Sequence, residues 1–228
     1  MGTGEGTGEV IWLRAEGAGV GRPAHRSRAE ITAAAVGIAD REGLEAVSMR
    51  RVAAELGTGA ASLYRYMDTR EDLLDLMTDS TGAEYRYPEP TGDWLADFID
   101  LCEQERAILR RHPWLPGLII TRPTLGPNGL ELLQHMLEVL APHPADVATK
   151  LEAFAMLNTL TAVFVQYELA GGSASQQRNA AYLQHEVISG RHRRLAELLA
   201  QPSASAPAPT DRFGDIAARM LTGLLGPA

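Results

Sequence analysis

The chain has 228 residues, 45% of them hydrophobic, and a formal net charge of −8. Its length suffices for one large core or a small core beside a medium one, and its lone cysteine, Cys102, excludes a disulfide framework and any Cys-rich metal site. No apolar stretch reaches the roughly 20 residues of a membrane span, and the start MGTGEGTGEV lacks the basic and apolar parts of a signal peptide, so a cytoplasmic protein with no membrane contact is expected.

Alternating strand patterns are nearly absent, whereas apolar residues recur at i, i+3, i+4 throughout, which predicts an all-α protein. Residues 1–26 are Gly-rich and without helical period, a flexible basic arm. It carries an apolar knot of Val10, Ile11 and Trp12, then Arg14, Arg22, His25 and Arg26 on the way to Arg28. Such an arm either follows a narrowed minor groove or is a plain tail. Ser27 and Glu30 form a capping box for a first helix that ends at about Arg41, before Gly43. Ser48 caps a second helix, with Met49, Val52, Ala53 and Leu56 inward and Arg50 and Arg51 outward, in reach of phosphate. Gly57 takes a tight turn into a third helix over 59–67, whose Leu63 returns to the core of Val52 and Leu56. Thr69 and Asp72 cap a fourth helix bearing Leu73, Leu74, Leu76 and Met77. Arg70 in its first turn runs against the helix dipole, an oddity that a nearby phosphate would resolve.

The segment YRYPEPTGDW places a domain boundary within 82–92. Beyond it, Asp93 caps a helix to about Arg111, 112–120 form a short apolar turn or helix, and further helices cover 127–140, 145–170, 174–200 and 211–225. A Pro/Ala/Ser loop at 202–209 precedes the last. On the long helix Leu151, Phe154, Asn158, Thr161, Val165 and Glu168 share a stripe whose middle is polar, so Asn158 and Thr161 meet either another helix or a ligand.

Two short helices around a glycine turn make either an ordinary helical hairpin or a helix-turn-helix. The crowding of Ser62, Tyr64, Arg65 and Tyr66 on a segment too short to bury them favours the second, which sets such side chains against bases and phosphates. The acidity of the whole chain argues against a generic nucleic-acid binder, but residues 21–67 carry seven arginines against five acids, a local +2. From Arg28 to Met77 the chain resembles the DNA-binding domain of TetR-family transcriptional repressors, through IADREGLEAVSMRRVAAELG followed by SLYRYMDTREDLLDLM.

That resemblance implies a three-helix helix-turn-helix head, residues 27–81, joined by a connecting helix to an antiparallel ligand-binding and dimerisation bundle, residues 82–228. It implies a homodimer, joined through its last helices, on a near-palindromic duplex operator, released by a small apolar or aromatic effector. The residues expected at DNA are Arg22, Arg26, Arg28, Ser48, Arg50, Ala60, Ser62, Tyr64, Arg65, Tyr66 and Arg70. Those expected around the effector are Trp114, Leu118, His135, Met136, Phe154, Asn158, Thr161, Phe164 and Val165. The alternative keeps the DNA-binding head and gives the bundle only dimerisation or a protein partner. No HExxH, G-x-S-x-G, P-loop or dinucleotide turn is present, so no enzyme, cofactor or metal is expected.

Overall fold

Ser27 opens the first helix as its sequence predicts: its side chain accepts from the Glu30 amide and its own amide donates to Glu30 Oε2 at 2.8 Å. The computed structural model describes residues 10–14, 26–172, 174–199 and 212–226. Among these, regular structure is wholly helical. Helix α1 spans Arg28–Glu42 and stops at Gly43, whose φ of 86° suits a residue without a Cβ. Ser48 caps α2 (Met49–Glu55), and Gly57, at φ 65°, turns the chain so that the Thr58 amide donates to the Ala53 carbonyl. Helix α3 (Ala60–Leu63) is shorter than the 59–67 expected. From Tyr64 the backbone tightens, with the Arg65 and Tyr66 amides donating to the carbonyls of Ser62 and Leu63. Leu63, Tyr66 and Met67 nevertheless keep helical spacing and enter one core with Ile31, Ile38, Val52 and Ala53.

Helix α4 (Arg70–Gly82) begins with the Thr69–Asp72 capping box and links this head to the body. Residues 85–93 are irregular. The body comprises α5 (Trp94–Arg111), α6 (Leu115–Thr121), α7 (Pro127–Val139) and α8 (Val147–Leu169), then α9 (Ala174–Ser189), α10 (Arg193–Leu199) and α11 (Phe213–Leu225). Helix α8 lies at its centre and packs on α5, α6 and α11. The expected single helix over 174–200 is broken at Gly190, whose φ of 70° ends α9. One apolar cluster runs unbroken from the head to Leu109, Trp114, Leu115 and Val165, and a second fills the far end around Phe98, Met136, Leu157 and Phe213. The last helix, α11, spends much of its apolar surface within the chain: Phe213, Ala217 and Leu221 are fully buried, leaving Ile216, Met220 and Leu224 towards the surface.

Candidate functional site

The helix-turn-helix sorts its polar residues by where the core needs them. Arg50, Tyr64 and Arg65 are exposed, Tyr64 at 51%, and stand on the outer side of α2 and at the end of α3. Ser48 is exposed but caps α2, while Ala60 and Ser62 are half-buried, with Ser62 Oγ donating to the Gly59 carbonyl. Tyr66 does not belong with them: it is 4% exposed, held in the head core by its spacing from Leu63, and cannot reach a base.

Several arginines expected at DNA are structural. Arg28 Nε donates to the Tyr66 carbonyl at 2.8 Å, and its Nη1 donates to the carbonyls of Ile11 and Arg14. Arg26 donates to the Leu56 carbonyl at 2.6 Å. Arg70 Nε donates to the Val47 carbonyl, which accounts for a basic residue in the first turn of α4 without a phosphate. Arg51 is ion-paired with Glu42 and Glu55, both at 2.7 Å, so its expected reach to phosphate is spent on the head. Residues 10–14, read as part of a flexible arm, are docked: Ile11 is buried in the head core, and Arg14 pairs with Asp68 and Asp72. Arg22 lies outside the described residues.

In the body a cavity of about 140 Å³ opens between the end of α4 and helices α5, α6, α7 and α8. Ile108, Leu115, Ile119, Leu132 and Phe154 give it apolar walls, and a narrow extension runs towards Phe98 and Cys102. Its polar groups are Tyr85, Glu105, Asn158, Thr78, Thr81, Thr124 and Asp79, and Thr81 Oγ1 donates to the Thr78 carbonyl. Asp79 is committed, accepting from the Asn128 and Gly129 amides at the start of α7, where the helix dipole favours an anion. Thr124 donates to Asp75. Glu105 and Asn158 differ: Glu105 is 7% exposed, and neither its Oε1 nor Asn158 Oδ1, both buried, has a hydrogen-bond partner among the described residues. Burial pushes the Glu105 carboxyl well above the usual carboxylate range, against the effect of the Thr161 hydroxyl beside it. Burial therefore favours the neutral form of this acid in an apolar chamber.

Of the residues expected around an effector, Phe154 and Asn158 line this cavity, and Thr161 sits behind it against Glu105. Leu118 and Val165 are packed in the cluster shared with the head. Trp114 lies there too, its Nε1 donating to Asp40 Oδ1 at 2.7 Å. Met136 is core, His135 stands against the Tyr87 ring at 5.1 Å, and Phe164 packs on Phe213 under the Arg106 guanidinium. Trp114, Leu118, His135, Met136 and Phe164 are expected there by residue type, and type alone does not separate wall from core. The missed residue with a legible signal is Glu105, an acid on the buried stripe of α5 made by Phe98, Leu101, Cys102, Ile108 and Leu109.

The head meets the body next to the cavity. His112, between α5 and α6, sets Nδ1 at 2.7 Å from Asp40 Oδ1 on α1 and Nε2 at 2.7 Å from Glu84 Oε1 just past α4. Arg111 pairs with the same Glu84. Thr78, Asp79, Thr81 and Gly82 of α4 line the cavity, so one helix touches both that cavity and the head.

A family model described as bacterial regulatory proteins, tetR family, covers residues 31–77, and one described as tetracyclin repressor-like, C-terminal domain, covers 88–225. The HTH-type transcriptional repressor DrrR1 of Streptomyces coeruleorubidus is 46% identical over 49% of this chain, a match spanning 42% of that repressor's length. An HTH-type transcriptional regulator of Saccharopolyspora erythraea is 32% identical over 92% of this chain and 84% of that protein. Among solved structures, ActR of Streptomyces coelicolor in complex with actinorhodin superposes with a TM-score of 0.75 at 29% identity, over 88% of this chain and 96% of that one.

Proposed function

The chain belongs to the tetR family of bacterial regulatory proteins, and we propose that it is a cytoplasmic, ligand-responsive repressor which grips a near-palindromic operator as a homodimer. It is a transcriptional regulator with a DNA-binding helix-turn-helix, not an enzyme. No described helix is long and apolar enough to cross a membrane.

The observation that carries the ligand-responsive reading is the cavity itself. A body serving only as a dimerisation module would fill that space, because an unmatched buried acceptor destabilises a core. Here a buried acid and an amide oxygen both lack partners among the described residues and face one chamber walled by α4, the helix that bears the head. A ligand favouring one setting of α4 would weaken DNA binding by the same free energy with which DNA weakens ligand binding. ActR, whose structure contains actinorhodin, supports the same assignment by analogy.

At the DNA end, Arg50, Tyr64 and Arg65 are the contact residues, with Ala60 and Ser62 beside them at the turn. Footprinting of the DNA upstream of the protein's own gene tests the proposal. A protected inverted repeat that is released by a small molecule, together with loss of that release in an Asn158→Leu variant that still binds DNA, is the expected result. Protection that no small molecule alters favours the reading in which the bundle only dimerises.

A further inference from the structure

The cavity has a charge character as well as a shape. Across its main chamber and its extension the ionisable side chains are Asp79, Tyr85, Cys102 and Glu105, and no Lys, Arg or His is among the described residues that line it. Asp79 is held by the start of α7. Helices α6, α7 and α8 present to it only neutral groups: Leu115 and Ile119, Gly129 and Leu132, Phe154, Leu157 and Asn158. Two buried polar atoms are left without a partner among the described residues here: Asn158 Oδ1, which accepts hydrogen bonds, and Glu105 Oε1, which does so once the carboxyl is ionised. An anionic ligand would meet a carboxyl, an amide oxygen and no cation. A ligand with N–H donors would satisfy both orphan atoms, and a positive charge on it would find Glu105 in a chamber where the low dielectric strengthens the pairing.

We infer that the effector is a lipophilic cation, an ammonium group on an apolar or aromatic body, with its charge against Glu105 and an N–H on Asn158. This rests on the reading of the cavity as the effector site. When such a ligand enters, the Glu105 carboxyl gives up its proton to solvent, because the ion pair holds one proton fewer than the free acid and the free ammonium together. Tyr85 and Cys102, the other titratable groups facing Glu105, stay neutral, their protons held by burial.

The test uses the full chain and three compounds of one shape: 1-naphthylmethylamine, 1-naphthylmethanol and 1-naphthoate, followed by titration calorimetry at pH 7. The ammonium is expected to bind about tenfold tighter than the alcohol and the carboxylate more weakly than either. Repeating the titration in buffers of different ionisation heat should show about one proton released per ammonium bound. Glu105→Gln should remove the ammonium's advantage while the alcohol's affinity stays within about twofold. The proton count is read on the unaltered protein, so it decides the matter even where the variant folds poorly. Equal binding of the three, tighter naphthoate, or no proton release overturns the inference and leaves the cavity standing as a ligand site. No saturable binding of any compound up to millimolar concentration overturns both.

Discussion

Two tyrosines two positions apart show how side-chain fate is decided residue by residue. Tyr64 is half exposed at the end of α3, whereas Tyr66 is 4% exposed among Leu63, Ile31 and Val52. Tyr64→Ala should leave the melting temperature nearly unchanged and weaken operator binding about tenfold by fluorescence anisotropy. Tyr66→Ala should instead leave a void in the head, costing about 3–5 kcal/mol, and lose DNA binding through unfolding, visible by calorimetry. Equal losses of stability in the two would contradict the division. Glu105 makes a second residue-scale prediction through its protonation. Burial raises its carboxyl above the ordinary 4.5, so above that pH the unfolded chain releases a proton that the folded one retains. Stability contributed by the neutral acid is thus complete below about pH 4.5 and falls as pH rises towards the folded value. Glu105→Gln removes that loss: it should melt at least about 3 °C higher than the natural chain at pH 7 and at about the same temperature at pH 4. Parallel melting curves across that range would show that the carboxyl is not held neutral.

At the level of elements, helix starts were legible because capping is local chemistry. Ser27 with Glu30, Ser48, Thr69 with Asp72, and Asp93 all open helices where the sequence placed them. What the sequence could not settle was how long-range packing spends particular side chains. Arg26, Arg28 and Arg70 read as DNA contacts but are tied to backbone carbonyls more than twenty residues away, and nothing local announces such a partner. The cavity was half legible: the polar middle of α8 gave Asn158, but Glu105 shows its role only once α5 is laid against α8. The junction at His112 belongs to the same hidden class, since Asp40 and Glu84 come from elements 72 and 28 residues away. Removing the imidazole leaves Asp40 with the Trp114 indole and Glu84 with Arg111, but takes away the two hydrogen bonds that join these carboxylates through one ring. His112→Ala should therefore speed hydrogen exchange at the end of α1, residues 39–43, by about tenfold or more, and leave α11 protected. Unchanged exchange at 39–43 would mean that the shared apolar cluster alone fastens head to body.

For the whole molecule, the distribution of charge and of uncovered apolar surface gives each part its task. The chain is −8 while residues 21–67, the stretch that holds the helix-turn-helix, are +2, so the rest of the chain repels a duplex that this stretch attracts. One three-helix head reads too few base pairs to hold an operator alone, and joining two heads supplies the remainder by raising the effective concentration of the second. The surface suited to joining them follows from what the fold leaves open. On α8, Met156 is 48% and Tyr167 69% exposed, with Thr159 and Val163 between them at helical spacing, and on the adjacent α11 Leu224 is 38% exposed beside Met220 and Ile216. An apolar stripe across two packed helices is the kind of face that a second copy covers by two-fold symmetry. Replacing Met156 and Tyr167 together by Arg puts two charges on each side of that face. Since both positions are already exposed, the single chain should keep its melting profile and its helical content. Sedimentation equilibrium should show the natural chain as a dimer and the double variant as a monomer at micromolar concentration, with operator affinity about two orders of magnitude weaker. A double variant that still sediments as a dimer would move the interface to the exposed Tyr182, Ile188 and Leu198 of α9 and α10, and the spacing of the two heads would then be set by those helices instead.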